Sequence, residues 1–187
     1  MKKVLISVGV VFGILFVFML LTVGVVSAAN KPKSDKEEVL PGKKGSSKKA
    51  LIIYHPGISK FTTRMTHQLA KGLNEGGYEV TLNHPGNHLS TDLSGYTLVV
   101  FGSPTYAGQI SSAMRKYMAR ACPQIANTLT MRIVLISTGA LDETQEFDKL
   151  EEMLVGLNVV KKVKFLAGSK TENDKIAYDL GIELAKK

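Results

Sequence analysis

Three uninterrupted apolar runs, at residues 50–54 (ALIIY), 98–101 (LVVF) and 133–136 (IVLI), constrain this chain more than any other feature. Each has strand length, is rich in β-branched residues and lacks a polar face. A strand of that kind must be covered on both sides, which is the condition of a central strand in a parallel sheet. Amphipathic stretches separate the runs, in the order expected of successive βα units. Ile110, Ala113, Met114, Tyr117 and Met118 draw one helical stripe, and Met65, Leu69 and Leu73 another, closed by Gly76-Gly77 where a left-handed cap is needed. Phe147, Leu150, Leu154 and Leu157 predict a fourth helix, and Ile176, Ala177, Leu180 and Leu184 a last one. Residues 78–82 alternate polar and apolar, and residues 159–166 are interrupted by Lys161, Lys162 and Lys164, so both are expected at sheet edges. The expected fold of residues 50–187 is a five-stranded, doubly wound parallel α/β sheet. Residues 83–96, with Pro85-Gly86, stay open between a loop and one short helical turn.

Val4 to Val26 form a stretch of 23 residues without a charge, long enough to cross about 30 Å of hydrocarbon as a helix. Residues 1–29 are therefore read as a membrane anchor or a signal peptide. The run exceeds the roughly 7 to 15 residues of a signal-peptide core, which favours an anchor. The small-residue pattern Val26-Ser27-Ala28 keeps cleavage near Ala28, with secretion, as the alternative. Seven lysines at 31, 33, 36, 43, 44, 48 and 49 follow the run, against Lys2 and Lys3 before it, which leans towards a cytoplasmic domain. The tight cluster of charges at the start argues the opposite way. Residues 30–49 carry two prolines, two glycines and three serines with only Val39 and Leu40 as sizeable apolar residues, and they read as a flexible Lys-rich linker. Its lysines are expected either to be solvated or to rest on anionic headgroups, at about 1 kcal/mol each.

The net charge of +8 lies mostly outside the domain. Residues 1–49 hold nine Lys against Asp35, Glu37 and Glu38, which leaves +2 for residues 50–187. Without clustered bases and interleaved aromatics, nucleic-acid binding is not expected. Cys122, the one cysteine, forms no internal disulfide, and the four histidines are too scattered for a metal site.

In an open doubly wound sheet, ligands bind beyond the carboxyl ends of the strands, where strand order reverses. Three segments meet there: 55–62 (HPGISKFT), 102–108 (GSPTYAG) and 137–144 (STGALDET). From about Ala50 to the C-terminus the chain resembles the flavodoxin family, most clearly in the stretch LSGYTLVVFGSPTYAG at residues 93–108. The resemblance implies a flavodoxin-like sheet with strand order 2-1-3-4-5 and FMN as cofactor. It implies that Ser103, Pro104 and Thr105 lend backbone groups to the ring edge and that Tyr106 stacks on the ring. Ala107-Gly108 would be the flexible peptide that contacts the flavin N5. Thr138-Gly139-Ala140 resembles the segment that reaches the pyrimidine edge, although no aromatic residue accompanies it.

The phosphate is expected at the helix that begins near Thr62, whose free N–H groups carry about half a positive charge. Ser59, Lys60, Thr62 and Thr63 are the candidate ligands. Here the chain departs from the family: similar proteins have Thr-Gly-Asn-Thr, and this one reads Ser59-Lys60-Phe61-Thr62, so either Lys60 takes, at some cost, a backbone conformation that favours glycine, or Gly57 takes over its task, or the phosphate cradle is looser.

The functional expectation is a membrane-tethered FMN electron-transfer protein. An NAD(P)H-dependent flavin or quinone reductase of the same fold is the alternative, though no G-x-G-x-x-G fingerprint is present. A cofactor-free interaction domain is the second alternative, supported by the altered phosphate loop. Neither a redox partner protein nor an oligomeric state follows from these residues. The full chain is expected to stay with membranes through an alkaline wash, and a C-terminal reporter fusion should report the side; recovery of a soluble form starting after Ala28 would identify a signal peptide instead.

Overall fold

The computed structural model describes residues 2–43, 46–126, 128 and 130–186, the side chains of residues 2–10 apart. Lys44 and Gly45 of the expected linker lie outside the described residues. Two compact units are present, Met1–Lys31 and Pro32–Lys187. The first is a single helix, α1 (Lys2–Ala29), of 28 residues. Within it, Val11–Ala29 is long and apolar enough to cross a bilayer. Phe12, Ile14, Leu15, Phe16, Phe18, Leu20 and Leu21 are all exposed.

The second unit is an α/β domain. Its strands are β1 (Glu38–Leu40), β2 (Lys49–Tyr54), β3 (Glu79–Asn83), β4 (Leu98–Tyr106), β5 (Gln109–Ile110), β6 (Arg132–Gly139) and β7 (Val159–Leu166). Its helices are α2 (Phe61–Glu75), α3 (Ser112–Ile125), the single turns α4 (Gln145–Asp148) and α5 (Glu151–Leu154), and α6 (Lys170–Ala185). The sheet runs β1-β3-β2-β4-β6-β7, with β5 paired to β4. The five parallel strands β3-β2-β4-β6-β7 have the expected 2-1-3-4-5 order.

Burial on both faces explains the apolar runs. Ala50, Ile52, Tyr54, Leu98, Val100, Val134 and Ile136 enter one core with α2 and α6. Leu51, Ile53, Val99, Phe101, Ile133 and Leu135 enter the other, with α3 and the α4–α5 segment. Successive residues of each strand thus alternate between two cores, as a period of two requires.

Four expectations need correction. The segment 78–82 is not an edge: β1 pairs antiparallel with β3, matching Val39 to Thr81. That strand arises from the segment read as a flexible linker. Asn83 fastens it, its Nδ2 donating to Asp35 Oδ1 at 2.8 Å and its Oδ1 accepting from Lys36 N at 3.1 Å, while Asn74 Nδ2 donates to Pro41 O at 2.8 Å. The fourth helix is broken: Leu150 N donates to Phe147 O and Met153 N to Leu150 O, three-residue steps that interrupt the α-helical ladder although Phe147, Leu150 and Leu154 are buried. The crossover within 83–96, open in the sequence between a loop and a short helical turn, contains no helix and so needs no correction; Leu93 is buried there and Tyr117 Oη donates to Ser90 O at 2.6 Å. Finally, Ile176 is exposed, and α6 buries Ala177, Leu180, Gly181 and Leu184.

The rotation of α6 follows from its close approach to α2. A Cβ at Gly181 would lie 2.4 Å from Leu69 O, and one at Gly72 would lie 2.2 Å from Tyr178 O. Neither backbone can yield without separating the helices. Gly181→Ala is therefore expected to destabilise the protein by about 1–3 kcal/mol, read as a lower urea midpoint with an unchanged slope; an unaltered midpoint would show that the helices part freely.

Candidate functional site

The carboxyl ends of β2, β4 and β6 converge where strand order reverses, between β2 and β4. The first loop turns on His55 and Gly57. His55 is fully buried, its N donates to Gly102 O at 2.9 Å, and its Nδ1 accepts from Gly57 N at 3.3 Å. Gly57 has φ +71° and lies against the strand that follows, where an added Cβ would meet Pro104 at 3.2 Å and Tyr106 Oη at 3.4 Å. The loop ends on Lys60, whose φ of 56° and ψ of 11° are left-handed. Lys60 thus holds a backbone conformation that favours glycine, and it begins α2 without a side-chain cap. Ser59 and Lys60 are exposed, Ser59 Oγ accepting from Phe61 N at 3.4 Å.

The two threonines of the first helical turn part ways. Thr62 is buried and shares a 2.7 Å hydrogen bond with Thr138 across the strand ends. Thr63 bonds the Tyr54 phenol instead. Burial first, then the nearby Glu38 carboxylate, raises the Tyr54 pKa, and that bond partly offsets the rise.

The second segment is not an open loop. β4 continues to Tyr106 and folds back as a hairpin onto β5, pairing Thr105 with Ile110 and Tyr106 with Gln109. The two residues between, Ala107 with φ 47° and Gly108 with φ 67°, are both left-handed, the conformation of a type I′ turn. Ser103 is buried and holds the hairpin base, its Oγ donating to Pro104 O at 3.0 Å and accepting from Ser111 N at 2.9 Å. Pro104 pairs with Thr138 in the sheet. Tyr106 has a half-buried ring and a buried hydroxyl with no hydrogen-bond partner among the described residues. Burial raises its pKa, and the nearby Ile58 backbone partly offsets the rise.

Beside the hairpin lies a cleft of about 200 Å³, bordered by Thr105, Ala107, Gly108, Gly139, Leu141 and Lys164 among others. Leu141, on the third loop, is 68% exposed. Under the cleft sits an ion pair that the sequence reading missed. Lys164 Nζ lies 3.0 Å from Glu146 Oε1, with both side chains nearly or fully buried. Ser137 Oγ donates to Glu146 Oε1 at 2.6 Å and Thr105 Oγ1 at 3.2 Å. Burial alone raises the Glu146 pKa, but the bonds from Ser137, its own backbone and Lys164 outweigh it and hold the carboxyl below its ordinary value. Lys164 also donates to the Glu143 carbonyl. In sequence, Lys164 is one of three lysines on an edge strand and Glu146 one of several acids before a helix, so neither announces itself.

The structure thus joins Thr62 to Thr138, seats Pro104 and Tyr106 against Gly57, and sets Thr105, Gly108 and Gly139 around the cleft. It assigns Ser103 and Thr63 to internal hydrogen bonds.

The arrangement is that of a doubly wound α/β domain with a crevice at its switch point, and comparison with solved structures names the class. The chain is similar to a flavodoxin from the domain Archaea at 18% identity and a TM-score of 0.59, over 74% of this chain and 96% of that one. It is similar to the two-electron reduced Megasphaera elsdenii flavodoxin at 14% identity and a TM-score of 0.62, over 74% and 99%. A WrbA-like flavodoxin from Agrobacterium tumefaciens matches at 19% identity and a TM-score of 0.57, over 75% and 96%. The domain therefore has the flavodoxin-like fold. Neither a protein-family model nor a curated protein matches the sequence.

Lys60 offers a direct measurement. A left-handed residue other than glycine costs about 1–2 kcal/mol, partly offset by the greater chain entropy of glycine when unfolded. Lys60→Gly is expected to raise stability by about 0.5–1 kcal/mol; a lower denaturation midpoint would mean that the lysine side chain holds the loop.

Proposed function

We propose that the domain binds FMN at the switch-point crevice and serves as an electron-transfer protein tethered to a membrane by α1. The observation that carries this reading is the first loop. Gly57 and Lys60 are both left-handed, α2 begins without a side-chain cap, and the buried, unpartnered Tyr106 hydroxyl is aimed at the same loop. Uncapped N–H groups at a helix start favour an anion, and a buried hydroxyl without a partner is a donor awaiting an acceptor. These features fit a phosphate ester. Ser59, Lys60 and Thr62 would hold it, with Tyr106 beside the ring and Thr105, Gly108 and Gly139 along the cleft.

When bound, the flavin supplies one- and two-electron chemistry; the protein supplies position, electrostatics and water exclusion. Ala107-Gly108 is a tight turn whose peptide can meet a ring nitrogen, and Lys149 Nζ steadies it by donating to Gly108 O at 2.9 Å. Leu141 and Ile58, both exposed, offer apolar cover on either side of the crevice. The neighbours in the structural comparison, flavodoxins and a WrbA-like protein, support the same reading.

One observation favours the cofactor-free alternative: the cleft of about 200 Å³ is smaller than the roughly 300–1,000 Å³ usual for ligand sites. The two readings separate in one experiment. The full chain, purified in detergent micelles, should be yellow, or should quench FMN fluorescence on titration with one-to-one stoichiometry. Tyr106→Phe should weaken that binding by about 0.5–1.5 kcal/mol, the usual worth of one hydrogen bond. A colourless protein that leaves FMN fluorescence unchanged would leave an interaction domain as the surviving reading.

A further inference from the structure

Glu146 and Lys164 form a buried ion pair in a place where fold stability does not call for one. Well-packed apolar residues often replace such pairs without loss, because taking two charges out of water offsets their attraction. The pair is also directional. Glu146 lies deeper, with no side-chain exposure, and is fixed from inside by Ser137 and Thr105. Lys164 borders the cleft and Glu146 does not. The ammonium lies close behind the cleft backbone at Gly139, where an added Cβ would lie 3.5 Å from Lys164 Cε, 3.7 Å from Thr105 Cβ and 3.9 Å from Lys164 Nζ. The cleft therefore feels the positive end of a locked dipole. Lys149, on the Gly108 carbonyl at the rim, adds a second cation. The opposing carboxylate of Glu143 is exposed and screened by solvent.

We propose that Lys164 is a positioning cation whose field makes this site hold reduced FMN more tightly than oxidised FMN, an inference that rests on the FMN reading above. Reduction of the ring takes up two electrons and one proton near neutral pH, so the ring gains one negative charge. A fixed ammonium in a water-poor wall attracts that added charge far more strongly than bulk solvent does. Glu146 keeps the ammonium in place, and Ser137 and Thr105 keep Glu146 in place. Lys164 acts through its field and exchanges no proton in the step.

The test compares FMN oxidised and FMN reduced with dithionite, titrated anaerobically into the full chain in detergent micelles. The ratio of the two Kd values is the readout. In E146Q/K164M, which removes both charges and leaves an acceptor for Ser137, the preference for the reduced form should fall roughly tenfold, equivalent to a midpoint potential lower by about 30 mV for a two-electron couple. E146Q alone removes the counter-charge and keeps the cation, so its ratio should move the other way. Opposite shifts in the two variants support the inference, and E146Q decides it should the double variant not fold. An unchanged ratio in well-folded variants overturns the role of Lys164 and leaves FMN binding standing. A wild-type chain that takes up neither form overturns both readings together.

Discussion

The two-sided burial of β2, β4 and β6 is the constraint from which the rest of the domain follows. Ile52, Ile53, Val99, Val100, Val134 and Ile136 have at most 1% of their surface exposed, and neighbours in each strand point into opposite cores. A sheet of that composition needs helices on both faces, and parallel strands with short connections provide them only by winding in both directions from the centre. Winding in both directions creates a point where consecutive crossovers leave on opposite sides. The crevice between the end of β2 and the end of β4 is a consequence of core packing before it is a property of any loop.

What occupies the strand ends is polar, and it is tightly organised. Thr62 bonds Thr138, Ser103 bonds the hairpin base, and Ser137, Thr105 and Lys164 surround Glu146. Low dielectric makes every unmet polar atom there costly, so the Tyr106 hydroxyl, buried and without a partner among the described residues, stands out against a well-satisfied background. Left-handed backbone is concentrated in the same region, at Gly57, Lys60, Ala107 and Gly108. Strain of this kind persists where the surrounding structure over-determines it, and it clusters at sites that meet a ligand.

At the opposite margin of the sheet, β1 shows how little local sequence preference decides an edge. Residues 30–49 are too polar to form a core of their own, yet β1 completes the pairing of β3. The histidines take part: His67 Nε2 reaches Glu38 at 3.2 Å and His84 Nδ1 reaches the Ser34 carbonyl at 3.1 Å. These contacts join residues 29 and 50 positions apart. They exist only after the domain has folded, and they convert a segment that would otherwise be solvated into a strand.

The amino-acid sequence by itself determined the elements of the architecture: hydrophobic periods of two and near 3.6 are local properties, and they specified five parallel strands and the helices α2, α3 and α6, while the strand order was implied only by the resemblance of residues 93–108 to a known family. It also marked the first loop as unusual, since a lysine stands where a left-handed turn needs a glycine, and Lys60 does adopt that turn. Only the tertiary structure decided the short hairpin at Ala107-Gly108, the break between α4 and α5, the rotation of α6 about Gly181, and the pairing of Glu146 with Lys164. Each depends on what another element brings within a few ångströms. Glu146 turns inward only because Ser137 and Lys164 wait there, and Ile176 faces water only because Gly181 must meet α2. Periodicity reports which face a residue prefers, whereas close contact and charge pairing belong to pairs of residues that the chain brings together only on folding.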